Sequence, residues 1–168
     1  MFQFKELIKT GMESASEVER NRKSINDVFL ALNQELHEET QGLIKISRFI
    51  NKPNAFFDMA KAYNMVSKGL DPTVSIEKST DVGTLNIALS DDIHAPVARW
   101  EQHPDGYPFT IEFLGERTDC WDQDSLVRML GKVVSSGQFW LKVKELESQK
   151  AKKMKLLQVD KPPQDTKN

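Results

Sequence analysis

With a single cysteine, Cys120, the chain cannot close a disulfide of its own, so no cysteine staple holds its fold and a reducing compartment is expected. Its opening residues, Met-Phe-Gln-Phe-Lys-Glu, lack the basic stretch, apolar stretch and small-residue cleavage site of a secretory leader. No run approaches the roughly 20 apolar residues that a membrane-spanning helix needs. Together these absences predict a cytoplasmic protein with no membrane association. The 8 glycines form neither Gly-x-Gly-x-x-Gly nor the Walker pattern, which removes two common phosphate cradles and leaves no cofactor to expect. His-Glu-x-x-His and the calcium-loop spacing are missing too, so no metal ligand is assigned.

What is present suffices for a packed interior: 168 residues, 39% apolar and 29% charged, ordinary proportions for one globular domain. A single α+β domain is expected over residues 1–160, followed by a disordered polar tail over 161–168 after Pro162-Pro163. The net charge of -2 conceals an uneven distribution. Residues 1–69 carry 10 Lys+Arg against 9 Asp+Glu, residues 70–125 carry 3 against 12, and residues 126–168 carry 10 against 4. The middle is therefore net -9 and the end net +6.

The strongest periodicity lies at the start. Phe4, Ile8, Gly11, Ala15, Val18, Arg22, Ile25, Phe29, Leu32, Leu36 and Glu39 follow one another at alternating steps of four and three, a heptad seam. Its best section, Ala15, Val18, Arg22, Ile25, Phe29, Leu32 and Leu36, predicts a helix-pairing face. Gly11 is expected to break a short first helix from a long protruding one over about residues 12–40. Arg22 and Glu39 put charges where apolar knobs belong. A helix of about 30 residues spans roughly 45 Å, more than a domain of this size needs, which favours pairing with a second copy as a homodimer. The rival arrangement is an antiparallel pair with the C-terminal helix of the same chain.

Gly42 stops that helix, and Leu43 to Ile50 alternates as a strand. Asn54 begins a second helix that Gly69 closes. From there the spacing predicts strands at Thr73–Lys78, Thr84–Ser90, Val97–Glu101 and Tyr107–Leu114, joined by links short enough for hairpins. Thr118 to Trp121 reads as one more short strand. An antiparallel sheet of about five strands follows, with Leu85, Ile87, Leu89, Phe109, Ile111 and Phe113 on its buried face. Asp122 or Asp124 caps a helix bearing Leu126, Leu130, Val133 and Val134, and a last helix carries Phe139, Val143, Leu146 and Leu157.

Chemistry-bearing clusters each have a plainer explanation. Cys120 precedes a helix start, where aligned N–H groups favour a thiolate, but lone cysteines are commonly buried filler and the adjacent Trp121 suggests packing. Asp91, Asp92, His94, His103 and Asp105 are ligand-type residues in two links that would form a cation cluster at a shared end of the sheet, yet these residue types also make turns. Asp119, Asp122 and Asp124, near Glu112 and Glu116, resemble carboxylates for acid-base or two-metal chemistry, though caps and a solvated sheet face use the same residues. No catalytic residue is assigned.

Association stands out instead. A heptad helix suited to pairing and an acidic middle suited to a cationic surface predict a non-enzymatic protein-binding module, of inhibitor, immunity or accessory type and of bacterial or phage origin. Trp100, Tyr107 and Trp121 are the expected anchors, with Glu112 and Glu116 as acidic contacts to a basic protein partner. An alternative is a nucleic-acid-associated protein that uses Lys150, Lys152, Lys153 and Lys155 on the last helix. A third is a small metal-dependent hydrolase or nuclease built on the acidic turns.

Overall fold

A computed structural model describes residues 4–51 and 80–159. The order is α1 (Phe4–Glu39), β1 (Lys45–Ile50), β2 (Asp81–Ser90), β3 (Ile93–Gln102), β4 (Phe109–Phe113), β5 (Glu116–Cys120), α2 (Gln123–Val134) and α3 (Gly137–Val159). The fold is α+β, as the periodicities indicate. The helix expected over Asn54–Gly69, the strand expected over Thr73–Lys78 and the tail lie outside the described residues.

The five strands form one antiparallel meander in the order β1-β2-β3-β4-β5. Alternation decides its two faces. Ile46, Leu85, Ile87, Trp100, Phe109, Ile111 and Phe113 belong to one continuous buried cluster with residues of all three helices. The other face carries Arg99, Glu112 and Arg117 in direct cross-strand register, an interleaved ladder of charge. α1 packs on β1 and α2, α2 on β4 and β5, and α3 on β2 and β3. No contact joins α1 to α3 among the described residues, so the rival arrangement, an antiparallel pair of these helices within the chain, is not formed.

Four details differ from the residue pattern, the first being that β2 begins at Asp81 and not at Thr84, with Asp81, Val82 and Gly83 paired to Gln102, Glu101 and Trp100. Gly11 does not interrupt α1, which runs unbroken from Phe4 to Glu39. One glycine costs a helix only about 1 kcal/mol, and good helix formers surround this one. β3 begins at Ile93 rather than Val97, passing through Pro96: Asn86 pairs with Pro96 and Leu85 with Ala98, so Val97 is the extra residue of a bulge that absorbs the proline. β5 starts at Glu116 and ends at Cys120, leaving Trp121 outside the strand, because Leu114 (φ 51°) and Gly115 (φ 80°) make a tight two-residue hairpin turn.

Local chemistry seats α1. Its C-terminus closes with Gln41 and Gly42 both left-handed, and the Gly42 N–H donates to the His37 carbonyl at 2.8 Å. Asn33 then acts as a surrogate strand. Its amide donates to the Ile46 carbonyl (2.8 Å) and accepts from the Ile46 N–H (2.7 Å), closing the outer edge of β1 at that residue. At the other end of the sheet the Arg22 guanidinium donates to the Pro104 carbonyl (2.8 Å) and the Asn21 amide to the Asp105 carbonyl (3.1 Å). Between these ties the Phe29 ring sits 5.7 Å from Phe109, which stacks on Trp100 at 5.5 Å. Arg48 reaches over the Phe29 ring at 4.6 Å and donates to Asn26.

Gly106 makes the lower tie possible. It has φ +97°, and an added Cβ would lie 2.6 Å from the Cβ of Asn21. Gly115 has φ +80° but nothing near it. Gly115→Ala is therefore expected to cost about 1 to 2 kcal/mol from the backbone alone. Gly106→Ala should cost clearly more, since it also pushes α1 off the loop. Urea unfolding midpoints of the two variants check the ranking.

Candidate protein-binding surface

A strand of ten residues is about 33 Å long, whereas the 36 residues of α1 span about 54 Å. The helix must overshoot the sheet. Every residue from Phe4 to Glu17 is exposed, and among the described residues the first hydrogen bonds from α1 to the body are those of Asn21 and Arg22. Leu7, Ile8 and Met12 are 67%, 62% and 68% exposed. Ile8 and Met12, four apart, share a helix face, and Leu7 borders it on the other side of Ile8. Beside its root, Gly11, Ser14, Val18, Asn21, Asp105 and Tyr107 line a trough of ≈ 550 Å³ between α1 and the β3–β4 connection.

The seam expected to pair with another helix divides here. Ile25, Phe29 and Leu36 are buried in the chain's own core, with Leu32 packed against it, so these positions are taken up by the sheet and α2 of the same chain. Arg22, the odd member of the seam, sits where the Pro104 carbonyl receives it. Ala15 is exposed and Val18 half-buried at the trough. Leu7 and Met12 were not on the expected pairing face, although their spacing around Ile8 widens the apolar stripe on the very turns that look poorest as a heptad.

The expected anchors are scattered. Trp100 is 3% exposed and stacked in the core. Tyr107 is half-buried with its hydroxyl 3.0 Å from that of Ser24. Trp121, expected to pack, is 68% exposed. It lies at the same end of the molecule as the root of the overhang, since its near neighbour Gln123 accepts from the Ser24 hydroxyl at 3.5 Å.

The acids are engaged locally. Arg117 grips Glu101 with both guanidinium nitrogens (3.0 and 2.9 Å), Lys132 meets Glu116 at 2.6 Å, and Glu112 lies between Arg99 and Arg117 in register. Asp122 caps α2 in a capping box with Ser125. Asp119 accepts from the Thr110 hydroxyl at 2.7 Å. The two His/Asp links fall at opposite ends of β3, not at one end: Asp91 and Asp92 form the β2–β3 turn, and His103 and Asp105 lie in the β3–β4 connection. Adjacent hairpins of a meander necessarily alternate ends. No group of metal-ligating side chains occurs among the described residues.

Of the lysines, Lys153 is bound to Asp92, whose carboxyl it holds down to about 2 with help from the Ser90 hydroxyl. Lys150 is half-buried, and Lys152 and Lys155 are exposed on the last turns of α3. No helix is long and apolar enough to cross a membrane among the described residues.

Cys120 is fully buried, and burial pushes its thiol from an ordinary 9.0 up to about 11, with Asp119 and Asp122 adding to the effect. A thiol so protonated is no nucleophile near neutrality. The folded chain holds this proton more tightly than the unfolded one, so the associated stability is complete below about pH 9 and is lost as pH rises toward 11. Unfolding free energy should therefore fall more steeply over that window in the parent than in Cys120→Ala, measured by urea titration at each pH.

No protein-family model matches the chain, and neither the curated proteins nor the solved structures contain a match.

Proposed function

We propose that the protein is a non-catalytic protein-binding module, of inhibitor or accessory type, whose binding element is the overhanging first third of α1. The observation that carries this reading is the exposure of Leu7, Ile8 and Met12 on a helix that has already run past the sheet it covers. A side chain of this kind gains about 1.5 to 3 kcal/mol on burial, and Ile8 with Met12 beside it and Leu7 on its other flank makes a broad apolar stripe. Trp121, exposed at the same end, supplies a further aromatic contact of the type that dominates interfaces.

The acidic middle contributes less than its composition suggests. Glu101, Glu116 and Asp92 are paired with Arg117, Lys132 and Lys153, which weakens the field the segment presents to a basic partner. Nucleic-acid binding has correspondingly thinner support, resting on Lys152 and Lys155 beside exposed Leu156 and Leu157.

A host-lysate capture at physiological salt separates the readings. The double variant Leu7→Glu, Ile8→Glu should lose the protein retained by the parent chain, while its melting temperature stays within a degree or two, because neither residue belongs to the core. Retention of the same protein by that variant would refute the proposal. Loss that instead follows Lys152→Gln and Lys155→Gln, and is abolished by nuclease, would move the assignment to nucleic acid.

A further inference from the structure

The overhang's own charges and side-chain sizes point to its occupant. We infer that the first turns of α1 pair with the same turns of a second copy of this chain, antiparallel, about a two-fold axis beside Met12. This rests on the reading of the overhang as a protein-binding element and names its partner.

Along these turns Ile8, Gly11, Ala15 and Val18 occupy the seam. Lys5, Met12 and Glu19 flank it on one side at intervals of seven. Lys9 is already paired with Glu13 within the helix at 3.8 Å, on the surface away from the seam. Lys5 and Glu19 have no ion-pair partner among the described residues. They carry opposite charge at equal distances from Met12, seven residues to either side. Turning a second helix end for end about Met12 brings Lys5 of each copy against Glu19 of the other, and Met12 against Met12.

The seam fits the same register. Ile8 then faces the second copy's Val18, and Gly11 faces its Ala15, so the centre is narrow and lets the two backbones close while the larger side chains fill the flanks. Ser14 meets Ser14 on the far side. The second copy's Leu7 comes level with Asn21 and enters the trough between α1 and the β3–β4 connection, which ends the overlap where the body begins. A parallel pair does none of this. It would set Gly11 on Gly11 beside Ile8 on Ile8, bring two Arg22 guanidinia together, leave Lys5 and Glu19 apart, and force the two bodies to the same end.

Sedimentation velocity over a concentration series, with a Met12→Cys variant under mild oxidation, tests this. The expected result is a reversible dimer, weakened roughly tenfold by Lys5→Glu or by Glu19→Lys because each change reverses two symmetry-related pairs, and restored when both are exchanged together. Met12→Cys should cross-link to dimer, since flanking residues on this side meet only in the antiparallel arrangement; Cys120 is buried and does not interfere. Cross-linking through Gly11→Cys with none through Met12→Cys would overturn the antiparallel assignment. A monomer persisting to hundreds of micromolar would overturn self-pairing altogether. In that event, loss of a different captured protein in the Leu7→Glu, Ile8→Glu variant would still leave the protein-binding reading standing.

Discussion

The contact on which the described structure depends is the aromatic column where α1 crosses the sheet. Phe29 meets Phe109, Phe109 stacks on Trp100, and Arg48 covers the outer side of Phe29. A five-stranded meander has one apolar face and cannot stay dissolved with it bare. α2 covers β4 and β5 and α3 covers β2 and β3, but among the described residues only α1 runs from the β3–β4 connection to the β1 edge, and the column fixes where it lies. The burial of Arg48, which lowers its pKa, shows how tightly that crossing is closed, since a guanidinium is accepted there only with the Asn26 acceptor and the ring face to meet it.

The two ends of α1 are then held by different means. At the top Asn33 reproduces the hydrogen bonds of a missing strand, so the helix serves as edge protection as well as cover. At the bottom the helix backbone comes so close to the loop that only glycine fits at position 106. Each tie is specific in direction, and together they convert a greasy face into one seating. The overhang follows from that seating, because the helix is longer than the sheet and its fixed points lie at its middle, Asn21 and Arg22, and beyond it, Asn33.

Much of this was legible in the residues. The strands of β2 and β4 show in strict alternation, the α2 cap in Asp122, and the long helix in its four-three steps. Heptad spacing specifies which residues share a face and is silent on what that face meets, so Ile25, Phe29 and Leu36 read as a seam for a second copy although the chain's own sheet and α2 receive them. Pro96 concealed the first half of β3, since a bulge can take up a proline that a regular ladder cannot. Counting charge over residues 70–125 likewise could not reveal the pairs of Glu116 and Asp92, because their partners Lys132 and Lys153 belong to helices beyond that segment. At the candidate site the heptad reading reached Ile8 but undervalued its neighbours, treating Gly11 as a break when the turns around it are the ones left bare.

The bulge-and-turn end of the sheet, where Lys153 ties α3 to Asp92, has its own outcome for the shape of the molecule. From Ala151 onward α3 is exposed, and it leaves the body at the opposite end of the sheet from the overhang of α1. Among the described residues, the two exposed helix ends thus leave from opposite ends of β3, a strand about 33 Å long.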